Sequence, residues 1–244
     1  RIYASLLERR LRGEAGDWEV DNLAIFAYNT SNELETLETD GLKLWPELVL
    51  VQLYMNDFTI PPEAGGTAPP PRLGDRLTAV KNRVLYSSAL YRRLNQAVEG
   101  LGYLLVHDAR RRWFPESLNN AEPSGELAML AATPDDEKIS AFRLLRRIRD
   151  VAQAHGARTI VILMPDEVQL FTRRYDGINE RVAAFCRRQG IGLYDPLPAM
   201  RTSPRRADLY LDGVHLTETG HRLVAGLLFD ELMRRGLLAR PPAP

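Results

Sequence analysis

The run Leu48-Val49-Leu50-Val51-Gln52-Leu53 constrains the fold more than any other stretch of this chain. Apart from Gln52 it is apolar at every position, so neither face of a strand built from it can meet water. Such a strand belongs in a parallel sheet covered on both sides. Thr159-Ile160-Val161-Ile162-Leu163-Met164 has the same character, and Ile191-Gly192-Leu193-Tyr194 reads as a shorter third strand. Trp18 to Ile25 also reads as a strand.

Helical patterns lie between these runs. Ile2, Leu6, Leu7 and Leu11 share one face of a helix expected to stop at Gly13. Thr30 or Ser31 can cap a second, running through Leu34 and Leu37 to about Thr39. Asp75 to Glu99 has helical spacing. Thr133-Pro134-Asp135-Asp136 reads as the start of another helix, with a cap residue, a proline and first-turn acids. That helix carries Ile139, Phe142, Leu145 and Ile148 and ends near His155-Gly156. Two more are expected over Tyr175–Arg188 and from Glu218 to about Arg235. Strands alternating with helices predict an α/β fold, a parallel sheet with helices on both faces. The chain reads as a single domain over 1–244. Pro61–Pro71 is a loop, and 101–133, which lacks periodicity, reads as an insertion or cap over the site.

Composition narrows the function. Lys+Arg and Asp+Glu are both 32, so the basic excess that nucleic-acid binding needs is missing. Cys186 is the single cysteine, which rules out an internal disulfide and leaves the compartment open. No apolar run approaches a membrane span. No His/Cys/Asp cluster has metal-ligand spacing and no Gly-rich loop could cradle a phosphate, so neither a metal nor another cofactor is expected. Arg110-Arg111-Arg112 reads as a solvated run, Trp113 and Phe114 as a small core beneath the insertion, and His107, His155 and His221 as structural.

Ligands of open α/β sheets bind beyond the carboxyl ends of the strands. Three segments are expected there: 22–30, Tyr54-Met55-Asn56-Asp57 and Asp212-Gly213-Val214-His215. In the last, a carboxylate stands three residues before an imidazole. Asp212 can accept the Nδ1–H of His215 and fix its tautomer, leaving Nε2 to take a proton from a nucleophile. The plain alternative is a polar loop at a helix entrance. Asn56 leaves an apolar strand, and its amide can donate to an oxygen gaining negative charge. Backbone N–H groups around Ala27 can do the same, and two such donors make an oxyanion hole. The plain reading of Asn56 is a turn residue, and of Ala27 a small loop residue.

The order of these blocks, Ala27 in its loop, then Asn56-Asp57 after a strand, then Asp212-x-x-His215-x-Thr217-x-x-Gly220-His221, resembles the SGNH (GDSL) hydrolase family. The resemblance spans nearly the whole chain. It implies a flavodoxin-like three-layer α/β/α sandwich, with Asn56 as an oxyanion donor, Asp212 and His215 as acid and base, and Ala27 where the family has a glycine. A backbone N–H survives the change to Ala27, provided its φ stays negative. The family's Gly-Asp-Ser motif ends the first strand, before the first helix. Here a helix opens at once, so that strand and its serine are expected ahead of Arg1, and the sheet is expected to lack its first strand. Ser5 lies within that helix, and Ser31, Ser87, Ser88, Ser117, Ser124, Ser140 and Ser203 lack the flanks of a strand-to-helix turn.

The resemblance therefore implies a serine esterase acting on small acyl or acetyl esters, of small molecules or glycans, with little or no activity in these 244 residues alone. Two alternatives stay open: a non-catalytic module of the same fold that binds a glycan or protein, and an acetyltransferase of that fold.

Overall fold

The computed structural model describes residues 2–25, 28–58, 130, 135–136, 139–173, 175–211 and 213–238, with Met55 and Asn56 by backbone alone. Residues 1–60 and 118–244 form one compact unit and 61–117 another, and the account below concerns the first. The expected helix over 75–99 and nearly all of the 101–133 insertion lie outside the described residues.

Among the described residues three strands form one parallel sheet in the order β1 (Leu48–Leu53), β2 (Arg158–Leu163), β3 (Gly192–Tyr194). Leu48 pairs with Arg158 and Leu53 with Leu163, and Ile160 to Ile162 continue against Gly192 to Tyr194. Alternate side chains feed two separate cores. Val51, Leu53, Val161 and Leu163 pack toward α2 (Thr30–Thr39), α3 (Ser140–Ala154) and α5 (Asp176–Arg188), meeting Leu37, Phe142, Leu145 and Phe185. Leu48, Leu50, Ile160 and Ile162 pack toward α1 (Tyr3–Glu14) and α7 (Glu218–Arg234), meeting Leu7, Leu11, Val224 and Leu228. This is the expected sheet between two helix layers, and it explains why β1 and β2 read as unbroken apolar runs. Each such side chain, fully buried, contributes about 1.5–3 kcal/mol. Two short helices, α4 (Glu167–Phe171) and α6 (Leu197–Thr202), complete the chain beyond β2 and β3.

Four expectations need correction. Trp18–Ile25 forms no ladder, because a strand exists only when a neighbour pairs with it and no described strand does so here. The first helix runs through Gly13 to Glu14, and the chain turns instead at Gly16, whose φ of 99° suits only glycine. The cap of α2 is Asn29, not Thr30 or Ser31. Its side-chain oxygen accepts from Ser31 and Asn32 N–H (3.0 and 3.3 Å), and the Asn32 side chain answers the Asn29 N–H (3.3 Å). Finally, α3 begins at Ser140. Asp136 serves not as a first-turn acid but as the ion-pair partner of Arg181 (2.8 Å) and Arg188 (2.5 Å) on α5. Thr133 and Pro134 lie outside the described residues.

Candidate active site

The ends of β1 and β2 are cross-linked to the loop that carries His215. Directly after β1 the chain makes a 3₁₀ turn, Met55–Phe58, which holds the backbone of Asn56. Its frame is reciprocal: the Asp57 carboxylate accepts the Tyr54 N–H (2.6 Å) and the Asp57 N–H donates to the Tyr54 carbonyl (3.1 Å). Beside it, the Met164 N–H donates to the Leu53 carbonyl (2.9 Å) and carries the β2 backbone one residue beyond the ladder.

The His215 loop is a narrow tongue. Tyr210 and Leu216 form an antiparallel bridge, and the Leu211 N–H donates to the His215 carbonyl (2.7 Å). Hydrogen bonds pin the tongue to the strand ends. The Tyr54 hydroxyl donates to the Val214 carbonyl (3.0 Å), the Glu167 N–H to the Gly213 carbonyl (2.8 Å), and the buried Tyr210 hydroxyl to the Pro165 carbonyl. Behind the tongue, Thr217 caps α7 by accepting the Gly220 N–H (3.0 Å) and donates its hydroxyl to the Asp208 carbonyl (2.5 Å). A β-carbon at Gly220 would sit 2.2 Å from the Leu209 carbonyl oxygen, so only glycine lets the first turn of α7 close against the tongue. That is the physical reason for Gly220 in the sequence pattern.

Beneath the rim a relay of amides braces α4. The Asp166 N–H donates to Gln169 Oε1 (2.9 Å), Gln169 Nε2 to Asn179 Oδ1 (2.8 Å) and Asn179 Nδ2 to Asp195 Oδ2 (2.9 Å). A satisfied buried network of this kind fixes its elements in one arrangement.

His215 is exposed and lines a cavity of about 1220 Å³ beside β1. Its neighbour Val214 is bonded to Tyr54, two residues before Asn56, so the second and third of the three segments meet at one rim. Of the first segment, Tyr28 N–H bonds the Ile25 carbonyl (3.2 Å), while Ala27 lies outside the described residues, as does Asp212. His221 sits under the rim, where its Nδ1 accepts the Tyr3 N–H (3.3 Å) and its ring stacks on Tyr3 with centroids 6.3 Å apart. His155 Nδ1 bonds the Val151 carbonyl (2.9 Å) at the end of α3.

Sequence reasoning missed two carboxylates in the same cavity. Asp57 is 4% exposed, and burial pushes it up to about 6 although the Tyr54 N–H pulls the other way. Burial and the nearby charge of Asp57 push Glu33, on the first turn of α2, up to about 8. One Glu33 oxygen, Oε2, is buried without a hydrogen-bond partner among the described residues. Tyr3 is pushed up as well, first by burial and then by Glu33. Asp57 could be suspected from its place beside Asn56. Nothing in the sequence links Glu33 to it.

Among the described residues no group of three or more His, Cys, Asp or Glu could hold a metal ion, and no helix is long and apolar enough to cross a membrane.

A family model, that of the GDSL-like lipases and acylhydrolases, matches residues 1–223. No curated protein matches the chain. A crystal structure described as that of an acylhydrolase from Bacteroides fragilis NCTC 9343 is similar at 12% identity and a TM-score of 0.47, covering 96% of this chain and 83% of that one.

Proposed function

The chain belongs to the GDSL-like lipase/acylhydrolase family, and from that premise we propose that it is the scaffold of a serine esterase for small acyl esters. His215 is the general base. It takes the proton of the attacking hydroxyl and returns it to the leaving alcohol. Asp212 orients its imidazole. The Asn56 amide and a backbone N–H near Ala27 stabilise the oxyanion. By the family's pattern the attacking serine stands at the end of a strand ahead of the first helix.

The observation that carries this reading is the bond from the Tyr54 hydroxyl to the Val214 carbonyl (3.0 Å). It ties the residue next to His215 to the turn that holds Asn56, at the strand ends where such chemistry occurs in α/β sheets. The alternative uses of the fold, as a binding module or an acetyltransferase, have no such observation in their favour.

The test is hydrolysis of p-nitrophenyl acetate by the 244-residue chain and by His215→Ala. The expected result is no more than trace turnover in both. Robust turnover that disappears in His215→Ala would put the nucleophile within the chain and overturn that part of the reading.

A further inference from the structure

A second groove opens where the segments that follow β2 and β3 meet. Leu170 and Phe171 at the end of α4 form one wall, with Arg173 just beyond them. Arg201 of α6 forms the other, with Ser203 and Arg206 after it. Its volume of about 670 Å³ falls in the usual range of roughly 300–1,000 Å³ for a small-ligand site.

The charge of this groove is one-sided. Among the described residues no acidic side chain lines it, although the whole chain balances 32 basic against 32 acidic residues. Elsewhere arginines stand against carboxylates: Arg10 meets Asp230 (3.0 Å), Arg181 meets Asp136 (2.8 Å) and Arg222 meets Glu218 (2.5 Å). In the groove Arg201 does so, bonding Asp176 through Nη1 (3.1 Å) and Nη2 (2.6 Å). Arg173 and Arg206 face no carboxylate among the described residues. Two positive charges are therefore left in a concave site.

Arg201 makes the walls rigid. Its Nε and Nη2 donate to the Gln169 carbonyl (3.0 and 2.7 Å), and Nη2 donates to the Thr172 carbonyl as well (3.0 Å). One guanidinium thus joins the end of α4, the start of α5 and α6. Arg206 is placed differently, with its Cζ 5.1 Å from the centre of the Phe171 ring. A guanidinium lying on a ring face keeps its N–H groups at its edge, where they can bind something else.

The groove is tied to His215 by two routes. The α4 helix begins at Glu167, whose N–H holds the tongue at Gly213 (2.8 Å), and ends in the groove at Phe171, about 6 Å further along its axis. Arg206 opens the 3₁₀ turn Arg206–Asp208, which leads straight into Leu209 and Tyr210 at the base of the tongue.

We propose that this groove is an anion subsite for the substrate of the candidate active site, and that the ester it takes carries a phosphate monoester beside its acyl group. Two guanidiniums without carboxylates match a dianion. The three terminal oxygens of a phosphate can accept from both forks, whereas a carboxylate offers two oxygens. The proposal rests on the esterase reading for what the bound molecule is. It adds the charge of that molecule and its direction, with phosphate toward Arg173 and Arg206 and the ester toward His215.

The test titrates the 244-residue chain with glycerol 3-phosphate and follows backbone amide and arginine Nε–H signals by NMR. The expected result is saturable shifts over 171–173 and 203–206. Arg173→Gln and Arg206→Gln should each weaken binding by about fivefold or more, the loss of one charge-assisted contact. Arg222→Gln, on the exposed side of α7, should leave binding unchanged, and sodium acetate should bind more weakly than the phosphate. Shifts that never saturate, equal binding of acetate, or unchanged binding in both groove variants would overturn the subsite. Glycerol 3-phosphate acetylated on a hydroxyl should move the signals of 209–217 as well. Groove shifts without tongue shifts would overturn the assignment of the site to the substrate. A dodecanoyl ester in place of the acetyl distinguishes the sources of the phosphate: tighter binding marks a lipid, equal binding a soluble ester, and both support the subsite. These signals do not depend on turnover, so failure of the esterase reading leaves them in place. p-Nitrophenyl acetate turnover in a chain that binds no phosphate would strike the subsite alone.

Discussion

β1 and β2 are nearly the same strand by sequence and quite different by environment. Each has six residues and a strongly apolar run, and they pair residue for residue from Leu48↔Arg158 to Leu53↔Leu163. In β2 every residue from Ile160 to Leu163 is buried, at 3% exposure or less. In β1 only Val51 and Leu53 are buried, and the other four are half-buried. The cause is neighbours: among the described residues β2 has a strand on each side, β1 on one. Apolar character thus records where a strand is meant to lie, while burial records which partners are present.

The largest expected effect follows from that contrast. Ile162→Ala should cost about 2–5 kcal/mol, because the hole it leaves is closed on all sides. Leu50→Ala, on the same face of β1, should cost about half as much, because part of its surface already meets water. Urea unfolding of the two variants measures both. Equal costs would mean that the open edge of β1 is covered in solution and would break the comparison.

Most of the layered fold was legible in the sequence, and the reasons are local. Leu48–Leu53, Arg158–Leu163 and Glu218–Arg234 carry patterns that only one kind of element can satisfy. Trp18–Ile25 carries a strand pattern too, but forming a ladder takes a partner, and no pattern within eight residues can report whether one exists. The α2 cap was misread because Asn29, Thr30 and Ser31 are all good caps, and the choice fell to Asn29 through Asn32, which answers it. The His215 segment stands out as a candidate in the sequence because Asp212 and His215 lie within four consecutive residues. The Glu33–Asp57 pairing does not: the two acids sit in different elements, 24 residues apart, and only folding brings their charges together.

That acid pair sharpens the comparison through pH. Glu33 is raised from 4.5 to about 8 in the folded chain, so between these values the folded state holds a proton that the unfolded state has released. Stability contributed by the protonated carboxyl is full below pH 4.5 and is lost as pH rises toward 8, with a slope of up to about 1.4 kcal/mol per pH unit. Asp57 acts in the same direction between 3.8 and about 6. Thermal melts from pH 5 to 8 should fall steadily in the native chain, and Glu33→Gln should flatten the decline. A native curve that is flat or rises would show that the open side of β1 lets water reach Glu33.

Gly220 probes the other wall of the same region. Gly220→Ala forces a β-carbon to within 2.2 Å of the Leu209 carbonyl, so the tongue must move away from α7. A cost of about 1–3 kcal/mol is expected, as for other overpacked sites. Chemical shifts over 209–217 should move while those of β2 and β3 stay in place. Shifts spread across the sheet would mean that the tongue is part of the β2 core rather than an attachment to its rim.

The smallest effect isolates the link between β1 and the tongue. Tyr54→Phe removes one hydroxyl and the bond it makes to the Val214 carbonyl, and should cost about 0.5–1.5 kcal/mol. The Gly213 carbonyl stays bonded to the Glu167 N–H and the Tyr210 hydroxyl to the Pro165 carbonyl, so the tongue should remain attached at β2. Loosening is then expected on the β1 side alone, as faster motion of the His215 ring by NMR relaxation with the Tyr210 signals unchanged. Equal loosening at both residues would show that the tongue moves as one body. In that case the β2 anchors would not be enough to hold His215 in place, and the Tyr54 bond would set the position of the imidazole.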